Sequence, residues 1–231
     1  MENLIINNLT KGYFKKRALN NFSYSFKKGM VYGLIGPNGS GKTTLMKTIY
    51  GLVKPTSGSL QMNGEKISYK TRENIAFMPT EDIFRPDLTG NEILGFYTDN
   101  FSDFSLEKAN RILEKMKLPL DEKIETYSTG MKMRLKVTLC LAREVELYMF
   151  DEPLNGIDVI SKDLIKDTII SMTTENSTII ISSHALNEME LILEQVIFLN
   201  EGDIIRDINL EELRDTENKS LESLYWEVYN V

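Results

Sequence analysis

Gly36-Pro37-Asn38-Gly39-Ser40-Gly41-Lys42-Thr43 follows directly on the apolar run Val31-Tyr32-Gly33-Leu34-Ile35. The order is a buried strand, a glycine-rich turn, then a helix opening at Lys42, which is the setting a phosphate-binding loop needs. Glycines let the backbone curl so that successive N–H groups point inward at phosphate oxygens. Lys42 can reach the β- and γ-phosphates, the Thr43 hydroxyl can ligate Mg²⁺, and Thr44 belongs to the same helix start. The positive end of the helix dipole lies under the same phosphates. The plainer alternative is a chance glycine turn before a helix. The full spacing favours a site for a nucleoside triphosphate.

Composition bounds the partners. The chain of 231 residues can hold one large domain with ample core. A net charge of −7 argues against nucleic acid as the main partner, because phosphate backbones select basic surfaces. Cys140 is the only cysteine, so neither an internal disulfide nor a cysteine metal site is expected. Among Leu139, Leu141 and Ala142 it reads as a buried, inert thiol. No signal peptide is expected, and no apolar run approaches the roughly 20 residues of a membrane helix. Any membrane span is therefore expected on another chain.

Outward from the loop, the first thirty residues read as antiparallel β. Phe22, Tyr24 and Phe26 alternate with Ser23 and Ser25, and Lys27-Lys28-Gly29 turns the chain. Leu60-Gln61-Met62 is a short strand ending at the hairpin signal Asn63-Gly64, and Ile75 to Met78 is another, stopped by Pro79. From Pro79 to about residue 145 the character is helical. Thr89 and Glu92 form a capping box, Ser105 to Lys117 is a helix closed by Pro119, and Gly130 to Arg143 shows helical spacing. Strands then return at Leu147–Phe150, Thr178–Ile181 and Val196–Leu199, with a helix through Leu164 to Met172. Such alternation predicts an α/β fold with a largely parallel sheet covered on both faces.

Three apolar strands end in polar groups: at Gly36, at Asp151-Glu152, and at His184. Ligands of open parallel sheets bind beyond the carboxyl ends of the strands, so topology is expected to gather these groups at one edge. Asp151 is placed to face Mg²⁺ or its waters, against the alternative of capping the turn before Pro153. Glu152 would polarise the attacking water, against the alternative of an exposed strand-end carboxylate. His184 is the only histidine, so it belongs to no histidine metal cluster. It reads either as a structural histidine or as a contact to the γ-phosphate or water, where a neutral imidazole can donate one hydrogen bond.

Taken in order, Gly36 to Thr43, Tyr127-Ser128-Thr129-Gly130-Met131, Asp151-Glu152, Asn155-Gly156-Ile157-Asp158 and His184 resemble the motifs of an ABC transporter ATP-binding cassette over essentially the whole chain. The segment at 127 is diagnostic, because phosphate-loop kinases and GTPases lack it. It resembles the family's signature in a variant form, Tyr-Ser-x-Gly-Met in place of Leu-Ser-Gly-Gly-Gln. The resemblance implies a P-loop NTPase, RecA-like, with a mostly parallel core, an N-terminal antiparallel β part and an inserted helical part. Residues 1–231 would form a single cassette, with the ATP-binding core at 1–80 and 145–231 and the helical signature part at 81–144.

The resemblance also implies a mechanism. Two cassettes, identical or related, would dimerise head to tail around ATP. Ser128 and the Gly130 N–H would meet the partner's γ-phosphate, and Asp158 would organise the interface. Leu9 to Tyr13 resembles the family's aromatic loop. Tyr13 would stack on adenine, with Phe14 as second choice and a plain hairpin aromatic as the alternative, while the basic residues 15 to 17 read as a solvated hairpin tip. Where the family often has a glutamine that touches Mg²⁺, this chain has Thr80 followed by Glu81. Threonine is too short to span the same gap without a bridging water. Lys42, Glu152 and His184 would carry catalysis, with Thr43, Asp151 and Thr80 around the metal.

The resulting expectation is an ATPase subunit on the cytoplasmic face of the membrane, held there by a separate permease and driving export. The signature type and the 80–89 region, which resemble antibiotic-, peptide- and multidrug-export cassettes, carry the export reading. A soluble ABC ATPase would normally carry two cassettes, and a chromosome ATPase would have a long coiled coil between Lys42 and Ser128. A regulatory cassette with little turnover is the third alternative. The 11 methionines read as core filler, and Leu221, Leu224, Tyr225, Trp226 and Tyr229 as one face of a C-terminal helix packed on the body.

Overall fold

The structure is a computed structural model describing residues 2–14, 16–68, 70–172, 174–184, 186–217 and 219–230. Of the basic run at 15 to 17, Lys15 lies outside the described residues.

Two sheets stack. The first is antiparallel and runs β2-β1-β4-β5. It is built from β1 (Glu2–Tyr13), β2 (Lys16–Lys27), β4 (Ser57–Met62) and β5 (Glu65–Lys66). Asn63 and Gly64 join β4 to β5 with φ of 51° and 80°, the left-handed pair that a two-residue hairpin selects. The second sheet runs β10-β9-β3-β8-β7-β6. Its strands are β3 (Val31–Ile35), β6 (Ile75–Met78), β7 (Leu147–Asp151), β8 (Thr178–Ser183), β9 (Gln195–Asn200) and β10 (Asp203–Asn209). All pairings are parallel except β10 with β9. The sequence reading missed β10. Its side chains alternate only between exposed and half-buried until Ile208, as an edge strand's do, so hydrophobic periodicity is faint.

The helices are α1 (Lys42–Ile49), α2 (Gly90–Asn100), α3 (Leu106–Met116), α4 (Thr129–Leu141), α5 (Val159–Met172), the short α6 (Leu186–Met189) and α7 (Leu210–Glu212), and α8 (Leu221–Tyr229). The Thr89–Glu92 capping box at α2 forms with both reciprocal bonds, and Ser105 caps α3. Strand alternation divides the core in two. Leu34, Ile180 and Ile197 face Leu45, Met46 and Ile49 of α1 and the antiparallel sheet. Ile35, Ile181 and Phe198 face α4, α5 and α8 through Val137, Ile165, Leu221 and Leu224. The parallel sheet is thus covered on both faces, as its near-continuous apolar strands require. A smaller cluster joins Ile93 and Leu94 of α2 to Leu113, Leu135 and Leu139. Cys140 is buried, and burial pushes its thiol up to about 12, so it stays protonated and inert.

Candidate functional site

The carboxyl ends of β3, β7 and β8 are adjacent because β3 pairs with β8 and β8 with β7. That adjacency brings residues far apart in sequence to the rim of one open cleft of about 700 Å³. Tyr13, Asn38 to Thr44, Thr80, Glu152 and His184 all line it.

The loop between β3 and α1 owes its course to glycines at two points. Gly41 has φ of 115°, and a Cβ there would lie 2.4 Å from Ala18 O. At Gly36 a Cβ would lie 2.4 Å from Leu199 O. Only glycine fits either place. Lys42 is buried, and its Nζ donates to Gly36 O at 2.6 Å and Pro37 O at 3.3 Å. Desolvation lowers its pKa, opposed by the charges of Glu152 and Asp151. The ammonium is 3.9 Å from Glu152 Oε1. A cation held on two loop carbonyls, half stripped of water, is placed for phosphate oxygens.

Asp151 is fully buried. One carboxylate oxygen accepts from Ser182 Oγ at 2.6 Å and the other from Thr43 Oγ1 at 2.8 Å. It does not cap the Pro153 turn; it holds the hydroxyl that opens α1. Thr43 and Asp151 together offer hard oxygen donors beside the phosphate loop, the donor set that suits Mg²⁺.

Glu152 has φ of 52°, a left-handed conformation that costs a non-glycine residue on the order of 1 kcal/mol. Its N–H donates to Ser182 O at 3.2 Å and Ser182 Oγ at 3.0 Å, which holds the turn. The side chain is thereby aimed at His184, whose Nδ1 is 2.8 Å from Oε2 and whose backbone N–H donates to the same oxygen at 3.3 Å. A carboxylate only accepts, so Nδ1 carries the proton, and a neutral ring has used its one N–H on Glu152. This refines the expected neutral donor to phosphate. Nε2 accepts in the neutral ring and donates to a phosphate oxygen only in the imidazolium.

Thr80 lines the cleft, but its hydroxyl donates to Asp151 O at 3.3 Å rather than reaching across it. The adjoining backbone is strapped from two sides. Lys136 of α4 is buried and donates to Pro79 O (3.3 Å), Thr80 O (3.0 Å) and Glu81 O (2.7 Å). Glu81 pairs with Lys47 of α1, whose hydrogen bond holds the carboxyl below its usual range. Tyr13 is partly exposed with Lys11 Nζ 4.8 Å over its ring, whereas Phe14 is fully exposed and not among the lining residues.

The structure does not bring Ser128, Gly130 and Asp158 to this cleft. Ser128 is exposed and caps α4, its Oγ accepting from Met131 N at 3.2 Å. Asp158 caps α5 through Ser161 N (2.9 Å) and Ser161 Oγ (2.7 Å), bonds that lower its pKa. A Cβ on Gly130 would lie 2.9 Å from Ser161 Oγ and 3.0 Å from Asp158 Oδ2, so these motifs pack on each other. Sequence reading missed Lys16 and Asn155 as lining residues. Lys16 looked like solvated hairpin tip; only the fold of β2 against the loop carries it to the rim. Asn155 was visible within its motif but had no separate signal.

A phosphate loop, a buried Asp at a strand end, a following Glu and a histidine bonded to it define a P-loop nucleoside triphosphatase. The chain belongs to the ABC transporter family, whose family model matches residues 19–155. It is an ATP-binding cassette and an ATP hydrolase of that family. The lantibiotic transport ATP-binding protein SrtF of Streptococcus pyogenes is 37% identical over 218 residues, covering 91% of this chain and 95% of SrtF. The bacitracin transport ATP-binding protein BcrA of Enterococcus faecalis is 35% identical over 228 residues, covering 93% of this chain and 72% of BcrA. A solved ATP-binding subunit of an ABC transporter superposes with a TM-score of 0.87 at 25% identity, over 98% of this chain and 99% of that one. A dimeric post-hydrolysis cassette bound to ADP and Pi shares the fold, with a TM-score of 0.80 at 24% identity over 90% of this chain and 98% of that one.

Proposed function

We propose that this chain binds and hydrolyses ATP to power export of an antibiotic- or peptide-like cargo by a separate membrane-spanning permease, working as a dimer of cassettes. The observation that carries the catalytic part is the convergence of Lys42, Glu152 and His184 in one cleft beside the phosphate loop, with Lys42 3.9 Å and His184 2.8 Å from the Glu152 carboxylate. The loop N–H groups and Lys42 hold the β- and γ-phosphates, and Tyr13 stacks on adenine. Thr43 and Asp151 would hold Mg²⁺, with Thr80 beside them; the ion when bound would offset the charge of the phosphate oxygens. Glu152 takes a proton from the attacking water, and His184 fixes the carboxylate. Ser128 and the Gly130 N–H close the site of a second cassette, with Asp158 alongside.

Export is supported by likeness to cassettes named for lantibiotic and bacitracin transport and for linearmycin resistance. No helix among the described residues is long and apolar enough to cross a membrane. Likeness to ATP-binding proteins named for transport supports a separate permease and a peripheral place on the cytoplasmic face. The helical stretch 81–144, tied to the core through Lys136, is the part we assign to signature and permease contact.

The test is ATP turnover of the purified chain, wild type against Glu152→Gln. Turnover is expected to fall by about 100-fold or more, with an ATP-dependent dimer accumulating on size exclusion. Equal turnover in both would remove Glu152 from its role. Failure to co-purify with any integral membrane protein from its native membrane would count against transport.

A further inference from the structure

Helix α8 reaches the root of the phosphate loop. Tyr229, near the end of α8, donates its hydroxyl to Leu199 O at 2.7 Å, with Ile35 O at 3.2 Å. Ile35 is the last residue of β3 and the next residue is Gly36. The β3–β9 ladder ends at Ile35 and Phe198, so the phenol supplies a donor where the ladder stops. Leu199 O is also the atom that a Gly36 Cβ would strike. One carbonyl therefore meets both the phenol and the loop's first glycine.

The helix is held firmly enough to act as a brace. Ser220 caps it, accepting from Ser223 N, and Leu221 and Leu224 are fully buried. The Tyr225 and Tyr229 rings lie 4.6 Å apart and Phe198 is 6.2 Å from Tyr229. Its N-terminus is tied to the segment that follows His184: Leu221 N donates to Glu190 Oε2 at 3.1 Å. Burial raises the Tyr229 pKa, so the phenol remains a donor across the working pH range. Trp226, the only tryptophan, sits half-exposed on the same helix with its ring 5.5 Å from that of Tyr225.

We propose that Tyr229 is a positioning residue for ATP binding: α8 braces the root of the phosphate loop through its hydroxyl, and loop closure on phosphate is relayed back to α8. This rests on the cleft being the ATP site. The experiment titrates Mg²⁺·ATP into the full-length chain, reading Trp226 emission, nucleotide affinity by equilibrium dialysis, and steady-state KM and kcat. Wild type is expected to give a saturable emission change whose midpoint matches the dialysis affinity. Tyr229→Phe keeps the ring and its packing and removes only the donor. It is expected to bind ATP about fivefold more weakly, with KM raised to match, kcat within about twofold of wild type, and a reduced Trp226 response. A variant that merely melts at lower temperature, with KM and the emission change those of wild type, would overturn the brace. So would a wild type that binds ATP with no change at Trp226. A wild type that binds no ATP by dialysis would overturn the functional reading itself, and the brace with it.

Discussion

The phosphate cleft, at the start of α1, and the N-terminal face of α4 differ in how far their own chain holds their polar groups. In the cleft, three charged groups are held by partners within the chain: Lys42 on its own loop carbonyls, Asp151 between Thr43 and Ser182, Glu152 on His184. At the head of α4, Ser128 is exposed and accepts only the capping N–H of Met131 among the bonds described, while Val159 and Ile160 nearby in sequence to Asp158 are 71% and 81% exposed. Large apolar side chains left open beside a capped helix terminus suit a protein surface rather than water. The difference teaches that the catalytic side chains of the cleft are oriented by bonds within their own chain. The head of α4 is a capped helix end that, on the reading proposed above, meets the nucleotide of a second cassette.

Substitutions can break that contrast from either side. Gly41→Ala should be the most damaging, since its Cβ has no room and its φ is wrong for alanine. We expect a cost of about 3 kcal/mol or more and ATP affinity down by over about 100-fold, read by thermal melting and dialysis. Lys42→Ala should weaken ATP binding by about 10- to 100-fold through the lost charge-assisted bonds, with the melting temperature little changed because burial already disfavours the ammonium. Ser128→Asp sharpens the comparison most. Aspartate caps a helix as well as serine, so α4 and monomeric ATP binding should be unchanged, whereas the ATP-dependent dimer should disappear from sedimentation profiles. Loss of monomeric binding in that variant would place Ser128 in the wrong half.

Smaller effects are expected at the strap between the halves. Thr80→Gln gives up the bond to Asp151 O and extends a longer amide into the cleft. It should change ATP turnover, or its stimulation by the membrane partner, by about twofold to tenfold; an identical profile with and without the partner would refute a role for this position. The Lys47–Glu81 pair should make the least difference. Glu81 is held below its unfolded pKa of about 4.3, so its contribution is complete above that value and is lost as pH falls through the lower folded value. Wild type should therefore lose slightly more melting temperature than Lys47→Met between pH 7 and pH 4. The Glu81 side chain is more than half exposed, which keeps the effect small.

Much of this molecule was legible in the chain because the signals are local. The alternation of Phe22, Ser23, Tyr24, Ser25 and Phe26, the Asn63-Gly64 turn and the Thr89–Glu92 box each act over a few residues. Each is found where the pattern puts it. What failed to show is what depends on distant neighbours. Strand β10 carries almost no apolar period because its outer edge faces solvent. Lys16 reads as surface charge until β2 folds against the loop. The proton on His184 Nδ1 is set by the carboxylate of Glu152, in the turn after β7.

By itself the sequence determined which groups can touch a triphosphate, since glycine spacing, strand-end acids and helix caps are properties of short stretches. Only the tertiary structure decided which of them meet. The order in which parallel strands lie side by side is fixed by packing across the whole sheet. That order set Glu152 beside His184, turned Thr80 toward a backbone carbonyl, left Ser128 facing outward, and brought the Tyr229 hydroxyl to the base of the loop.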